Sequence, residues 1–394
     1  MEQTMAKKNK YEIDMCNGTI MDKLISFSLP LMLSGILQLM FNAVDIIVVG
    51  RFSGSQALAA VGSTSALINV FTNLFIGISL GANVLTARFY AAGREKEVSE
   101  TVHTAITLAL VSGIIMALVG LVFSKGALAL MGTPDDVIEL SALYMRIYFL
   151  GMPFFMLYNY GAAILRAVGD TKRPLLFLMI AGVINACLNM VLVIVFKLGV
   201  AGVAIATVIS QMISCVLVLR CLCRSESSYR LRFSELGMKG YYLKQIFSVG
   251  VPAGIQSTVI NFSNVLLQSS VNSFGSTAMA GYTAANNLLG FLYVSVNSIT
   301  QACMSFTSQN YGVGKLKRMD RVLADCMILS VVVAVVLGCI CYGFGPEILQ
   351  IYTEDAEVIA CGMEILAYTT ITYFLCGWMD LFPGALRGMG YSAV

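Results

Sequence analysis

Long apolar runs alternate with short polar loops along most of the chain. The runs lie at about 24–50, 56–85, 100–124, 138–166, 174–196, 200–220, 246–272, 278–308, 322–344 and 358–384. A bilayer core about 30 Å thick is crossed by about 20 apolar residues in a helix rising about 1.5 Å per residue. Each run is long enough, so the pattern predicts ten membrane-spanning helices and an all-α, polytopic fold.

Composition strengthens that reading. Of 394 residues, 58% are hydrophobic and 12% charged, about half the charge of an ordinary soluble domain. A soluble enzyme, a secreted disulfide scaffold and a disordered chain are excluded. Of the 11 cysteines, most sit inside apolar runs with no ligand-type spacing and read as small hydrophobes.

The charge pattern orients the spans. Of the 25 lysines and arginines, all but Arg51, Lys125, Arg146 and Lys197 fall in the N-terminal segment and in alternate loops. Asp135, Asp136, Glu347 and Glu357 occupy the opposite loops. A basic patch can bind nucleic acid, but a bias that alternates loop by loop is the signature of membrane topology. The expectation is a cell (inner or plasma) membrane protein with a cytoplasmic N-terminus, and no nucleic-acid partner.

The chain also repeats itself. TARFYAAGREKEV at 86–98 resembles TSQNYGVGKLKRM at 307–319, so Tyr90 matches Tyr311 and Gly93 matches Gly314 at an offset of 221. Gly54-Ser55 matches Gly275-Ser276, and Leu165-Arg166 matches Leu386-Arg387, at the same offset. Pro30 matches Pro252 one residue out of register. Six spans fit one repeat, which predicts two parallel six-helix lobes around a central cavity, rocking to give alternating access. The boundaries follow: a tail at 1–23, an N-terminal lobe at 24–220, a linker at 221–245 and a C-terminal lobe at 246–394. A complete second copy would end near residue 445, so ten of twelve helices are expected in this sequence.

Polar residues within spans are expensive and mark candidate sites. Asp45 leads them, because no basic residue nearby in sequence neutralises it, and burial favours the neutral form of a carboxylic acid. Such a group is suited to loading and releasing a proton. The alternative is a helix-end role near the outer surface. Gln38, Asn42 and Asp45 share one helical face at i, i+4, i+7. Asn69 with Asn73, Asn185 with Asn189, and Thr207 with Gln211 are each one turn apart, and either line a cavity or join helices by hydrogen bonds.

In the seventh span Ser257, Asn261, Asn264 and Gln268 form the repeat counterpart of the first-span stripe, without an acid. Asp380 lies on the face of Arg387 and is expected to pair with it or to line the cavity. Arg146 is expected to snorkel or pair, and His103, the single histidine, to sit at the membrane interface. One histidine without clustered acids and thiols argues against a catalytic metal. The phosphate-loop pattern G-x-x-x-x-G-K-[ST] is missing, so an ion gradient rather than ATP is the expected energy source.

FNAVDIIVVGRFSG (41–54), YMRIYFLGMPFFMLYNYGAAILRAVGDTKRP (144–174), NACLNMVL (185–192) and GVAGVAIATVISQ (199–211) resemble multidrug and toxic compound extrusion (MATE) transporters, as does GALRGMG at 384–390. The resemblance implies a twelve-helix, two-lobe, monomeric exporter that exchanges H+ or Na+ for organic, often cationic and lipophilic, compounds. It carries no cofactor, no metal beyond Na+ at the coupling site, and no enzymatic activity. On this resemblance Asp45, Asn185 and Thr207 fall on the N-lobe cation site. Asn189 stands where many members have an aspartate, which weakens Na+ binding and favours protons. A lipid-linked saccharide flippase would need cavity arginines, of which only Arg146 lies within a span; a non-transporting scaffold would tolerate loss of Asp45.

Overall fold

Glycine turns set the rhythm of the chain. The computed structural model describes residues 11–350 and 355–392, apart from the side chains of Ser55, Ala66, Val265, Gln268, Ser269, Asn272 and Ser276. The helices are α1 (Met21–Phe52), α2 (Ser55–Ala91), α3 (Glu95–Leu130), α4 (Asp135–Leu150), α5 (Met152–Ala167) and α6 (Lys172–Asn189). A π-helical turn (Met190–Val195) extends α6. They continue with α7 (Gly199–Arg224), α8 (Gly240–Asn272), α9 (Ser276–Gly312), α10 (Leu316–Gly343), the short α11 (Gly345–Gln350) and α12 (Ala356–Gly388). No strand occurs among the described residues.

All ten apolar runs are helical, and the fourth is broken. Its halves, α4 and α5, meet at 47° around Gly151, where Pro153 supplies no N–H and crowds the preceding turn. Among the described residues, seven helices are long and apolar enough to cross a bilayer, and the α4–α5 pair makes an eighth. The helices α8 and α9 have the length, but serines, asparagines and glutamines such as Ser257, Asn261, Asn297 and Gln301 dilute their hydropathy.

The repeat is visible in backbone geometry. Gly54 and Gly275, Gly93 and Gly314, and Gly169 and Gly390 all adopt positive φ, and the members of each pair stand in corresponding turns. L-residues with a Cβ rarely tolerate that conformation, so the same turns recur because the same glycines recur. Pro30 and Pro252 both lie inside helices, in α1 and α8.

Small residues let the two copies touch. A Cβ on Gly77 of α2 would come within 2.4 Å of the Gly254 Cα on α8, and one on Gly81 within 2.2 Å of the Ile246 carbonyl oxygen. Close approach of this kind is how helices associate where no hydrophobic force separates them from lipid.

Hydrogen bonds joining the first half of the chain to the second cluster at the end that carries most basic residues. Ser305 donates to Asn83 Oδ1 (3.1 Å), Ser308 to the Val84 carbonyl (2.7 Å) and Gln309 to the Ala167 carbonyl (2.7 Å). Arg88 stacks on Tyr311 and donates to the Met389 carbonyl (2.7 Å). The segment before α1 crosses this seam like a strap. Glu12 accepts from Tyr90 and Tyr229 (2.7 and 2.8 Å), while the Met15 carbonyl accepts from Asn310 (3.1 Å) and Arg318 (3.3 Å). Met15 itself is fully buried, in an apolar cluster built from α1, α9, α10 and α12.

The loop between α5 and α6 is fixed by charge. Asp170 is fully buried, accepts the Arg173 backbone N–H (3.1 Å) and forms an ion pair with the Arg173 guanidinium. Burial pushes the Asp170 carboxyl up, and Arg173 draws it partly back. His103, near the start of α3, is buried within the protein, and its Nε2 accepts the Arg232 backbone N–H (3.0 Å), clamping the connector between α7 and α8 onto α3.

Candidate functional site

Two polar sites lie in the membrane-spanning part of the fold. The first is built around Asp45. Its helix leans on α9 at Gly35, against Val294, and on α6 at Gly182, against Phe41. That second contact brings Asp45 to Asn189, whose Nδ2 donates to the carboxylate. Asn189 Nδ2 also donates to Asn185 Oδ1 (3.1 Å), and Asn185 Nδ2 to Thr207 Oγ1 (3.5 Å). Thr207, on α7, lies against Asp45 as well.

The four residues expected to form one site therefore do meet. Their side chains supply a carboxylate, two amides and a hydroxyl, and no lysine or arginine contributes to the environment of Asp45 among the described residues. Asn189 is fully buried, and its Oδ1 has no hydrogen-bond partner. An unpaired buried acceptor costs free energy, and this one lies beside a carboxylate.

Two tyrosines missed in the sequence, and the candidate Gln211, complete the surroundings. Tyr144 and Tyr148 on α4 stack one turn apart (centroids 6.1 Å) within electrostatic reach of Asp45. Their i, i+4 spacing was the available signal. Gln211 packs at the α4–α5 break, where a Cβ on Gly151 would meet its Oε1 at 2.9 Å, and that oxygen is also unpartnered.

The second site is a cavity of about 290 Å³ between α2, α8, α9 and α12. Asn73, Asn261 and Asp380 line it as expected, together with Ser257, Gln256, Tyr293, Asn297, Gln301 and Arg387. Arg387, read from the sequence as a basic residue on the face of Asp380, lines the cavity too, and its guanidinium donates to Gln256. Among the described residues it forms no direct ion pair with Asp380, although the two charges lie within electrostatic reach of each other.

Other candidates lie elsewhere. Gln38, Asn42, Asn69 and Asn264 are exposed and do not line this cavity. For Gln38 and Asn42 the reason is the course of α1: between its contacts with α9 and α6, the 38–42 face is left uncovered. The Gln268 side chain lies outside those described. Arg146 is exposed on α4 and joins neither site. Among the described residues no group of three or more His, Cys, Asp or Glu side chains is placed to hold a metal.

A duplicated helical bundle with an uncompensated carboxylate in one half and a polar cavity where the halves meet is the build of a membrane transporter, not an enzyme. The MatE family model matches residues 30–191 and 252–394, and the chain belongs to that family. It is 33% identical over 373 residues to the probable multidrug resistance protein YoeA of Bacillus subtilis, covering 92% of this chain and 80% of the relative. It is 23% identical over 371 residues to the multidrug export protein MepA of Staphylococcus aureus, covering 93% and 81%. Among solved structures, the outward-facing conformation of a multidrug resistance MATE family transporter of the MOP superfamily superposes with a TM-score of 0.92. That match has 20% identity and covers 98% of this chain and 86% of the other.

Proposed function

We propose that this protein exports organic compounds, cationic and lipophilic ones among them, in exchange for an inward-moving ion, by alternating access between its halves. The relatives' multidrug names support the substrate class. The single observation that carries the coupling assignment is the environment of Asp45: a carboxylate whose hydrogen-bonding neighbours are neutral. Such a group is balanced by a cation, either a proton on the carboxyl or Na+ held also by Asn185, Asn189 and Thr207.

The orphaned Asn189 Oδ1 supports both forms, since a protonated Asp45 can donate to it and Na+ can accept it as a ligand. With one carboxylate rather than two, the site balances a proton with less competition from charge, so protons are the preferred coupling ion. The N-terminus is assigned to the cytoplasm on the bias of the basic loops, the location to the cell membrane, and the working unit to a monomer. The domain bounds 24–220, 221–245 and 246–394 are proposed with it. A lipid-linked saccharide flippase is not favoured: Arg387 is the only arginine lining the cavity among the described residues.

The test is efflux of a fluorescent cation from proteoliposomes under separate inward proton and sodium gradients. The proton gradient is expected to drive it and the sodium gradient to add little. Efflux driven by sodium alone overturns the ion assignment.

A further inference from the structure

At their basic end the two halves of the chain are joined by a pair of contacts that the internal repeat makes equivalent. Arg88, near the end of α2, donates to the Met389 carbonyl (2.7 Å), in the turn after α12. Gln309, 221 positions later near the end of α9, donates to the Ala167 carbonyl (2.7 Å), at the end of α5. Each side chain thus reaches the glycine turn of the opposite half, at Gly390 and at Gly169.

What covers these turns breaks the symmetry. A Cβ on Gly390 would meet the Arg88 guanidinium at 2.6 Å, whereas one on Gly169 would meet the Ile13 carbonyl oxygen at 2.6 Å. The strap before α1 therefore lies over one of the two contacts, and Cys16 Sγ is 3.9 Å from Gln309 Oε1. Its repeat counterpart, the connector before α8, bonds instead to His103 and Thr104 on α3.

The strap is divided between the halves. Its first residues hold the N-terminal half: Glu12 accepts from Tyr90 and Tyr229, Ile13 seats against Gly169, and Arg173 lies over the Tyr11 ring (5.5 Å). Its later residues hold the C-terminal half. Met15 is buried against α9, α10 and α12, its carbonyl accepts from Asn310 and Arg318, and Lys315 donates to the Cys16 carbonyl (2.9 Å). Ile13 and Met15 are two residues apart, and two residues span at most about 7 Å of extended chain. A parting of the halves wide enough for a solute must therefore free one end. The first end is the weaker, since it rests on one partly buried carboxylate while the other is anchored by a fully buried side chain and two cations.

We propose that the strap is a bolt on the basic end of the protein: it stays with the C-terminal half, and release of Glu12 from Tyr90 and Tyr229 permits opening on that side. The inference rests on the alternating access proposed above and names the contact that holds this side shut.

A reporter thiol at the seam tests it. Ser308 is fully buried and donates to the Val84 carbonyl (2.7 Å) across the halves. Ser308→Cys, in a chain whose other cysteines are replaced, is labelled from the basic side with a membrane-impermeant maleimide. Freeing the strap by Glu12→Ala, or by Tyr90→Phe with Tyr229→Phe, is expected to speed labelling about tenfold, the size of one charge-assisted hydrogen bond. An unchanged rate in both variants overturns the inference. This readout needs no efflux, so it separates failure of the bolt from failure of the transport reading.

Spin-label distances decide the matter with Glu12 and its tyrosines intact, should those variants not fold. Thr19 on the strap, Arg230 on the connector and Lys317 on α10 are all exposed. In nanodiscs, Thr19→Cys paired with Arg230→Cys is expected to give two separations, and paired with Lys317→Cys only one. Two separations in the second pair, or one in both, overturn the inference.

Discussion

Asn189 on α6 donates its side-chain N–H to the Asp45 carboxylate on α1, joining positions 144 residues apart in the chain. An amide next to a carboxylate leaves one negative charge in the site. A second carboxylate there would add like-charge repulsion, which holding a proton or a metal cation relieves.

Asn189→Asp is therefore expected to raise the contribution of sodium to efflux. In proteoliposomes, the ratio of sodium-driven to proton-driven rates should increase several-fold in the variant. A ratio equal to that of the wild-type protein would show that residue 189 has no part in cation choice.

The α2–α8 crossing makes a stability prediction. Gly77→Val places a side chain where even a Cβ would meet Gly254 at 2.4 Å, and overpacking of this kind costs about 1–3 kcal/mol. Gly62→Ala, on the same helix with nothing within 4 Å of a Cβ, should be neutral or stabilising by up to about 1 kcal/mol. Thermal unfolding in detergent compares them, and equal midpoints would contradict the packing.

The strap before α1 makes another. Asn310→Ala removes the donor to the Met15 carbonyl, leaving Arg318 to hold it; losing such a buried partner costs about 1–3 kcal/mol. Thiol labelling of Cys16, with the other cysteines replaced, is expected to speed up several-fold. An unchanged labelling rate would mean that Asn310 does not hold the strap.

Much of this was legible from residues alone, for identifiable reasons. The ten runs and the 221-residue offset follow from local composition, and Gly54, Gly93 and Gly169 with their partners announce turns that sterics confine to glycine. The Asp45 cluster was readable because one-turn spacing sets Asn185 beside Asn189. Three-dimensional placement was not readable. Gln38 and Asn42 share a face with Asp45, yet only Asp45 reaches α6, because the tilt of α1 depends on Gly35 and Gly182 meeting Val294 and Phe41. Arg387 could be set on the face of Asp380 by spacing, but its partner Gln256 lies 131 positions away and was not readable. His103 showed no sign of its hold on the Arg232 backbone for the same reason.

The most direct test of the account is efflux of a cationic dye driven by an inward proton gradient, measured for the wild-type protein and Asp45→Asn in matched proteoliposomes. The substitution keeps the shape of the side chain and one oxygen able to accept from Asn189, and removes the charge. The account predicts that gradient-driven efflux falls to the level of empty liposomes in the variant while its thermal unfolding midpoint is retained. Efflux by Asp45→Asn at the wild-type rate would contradict it.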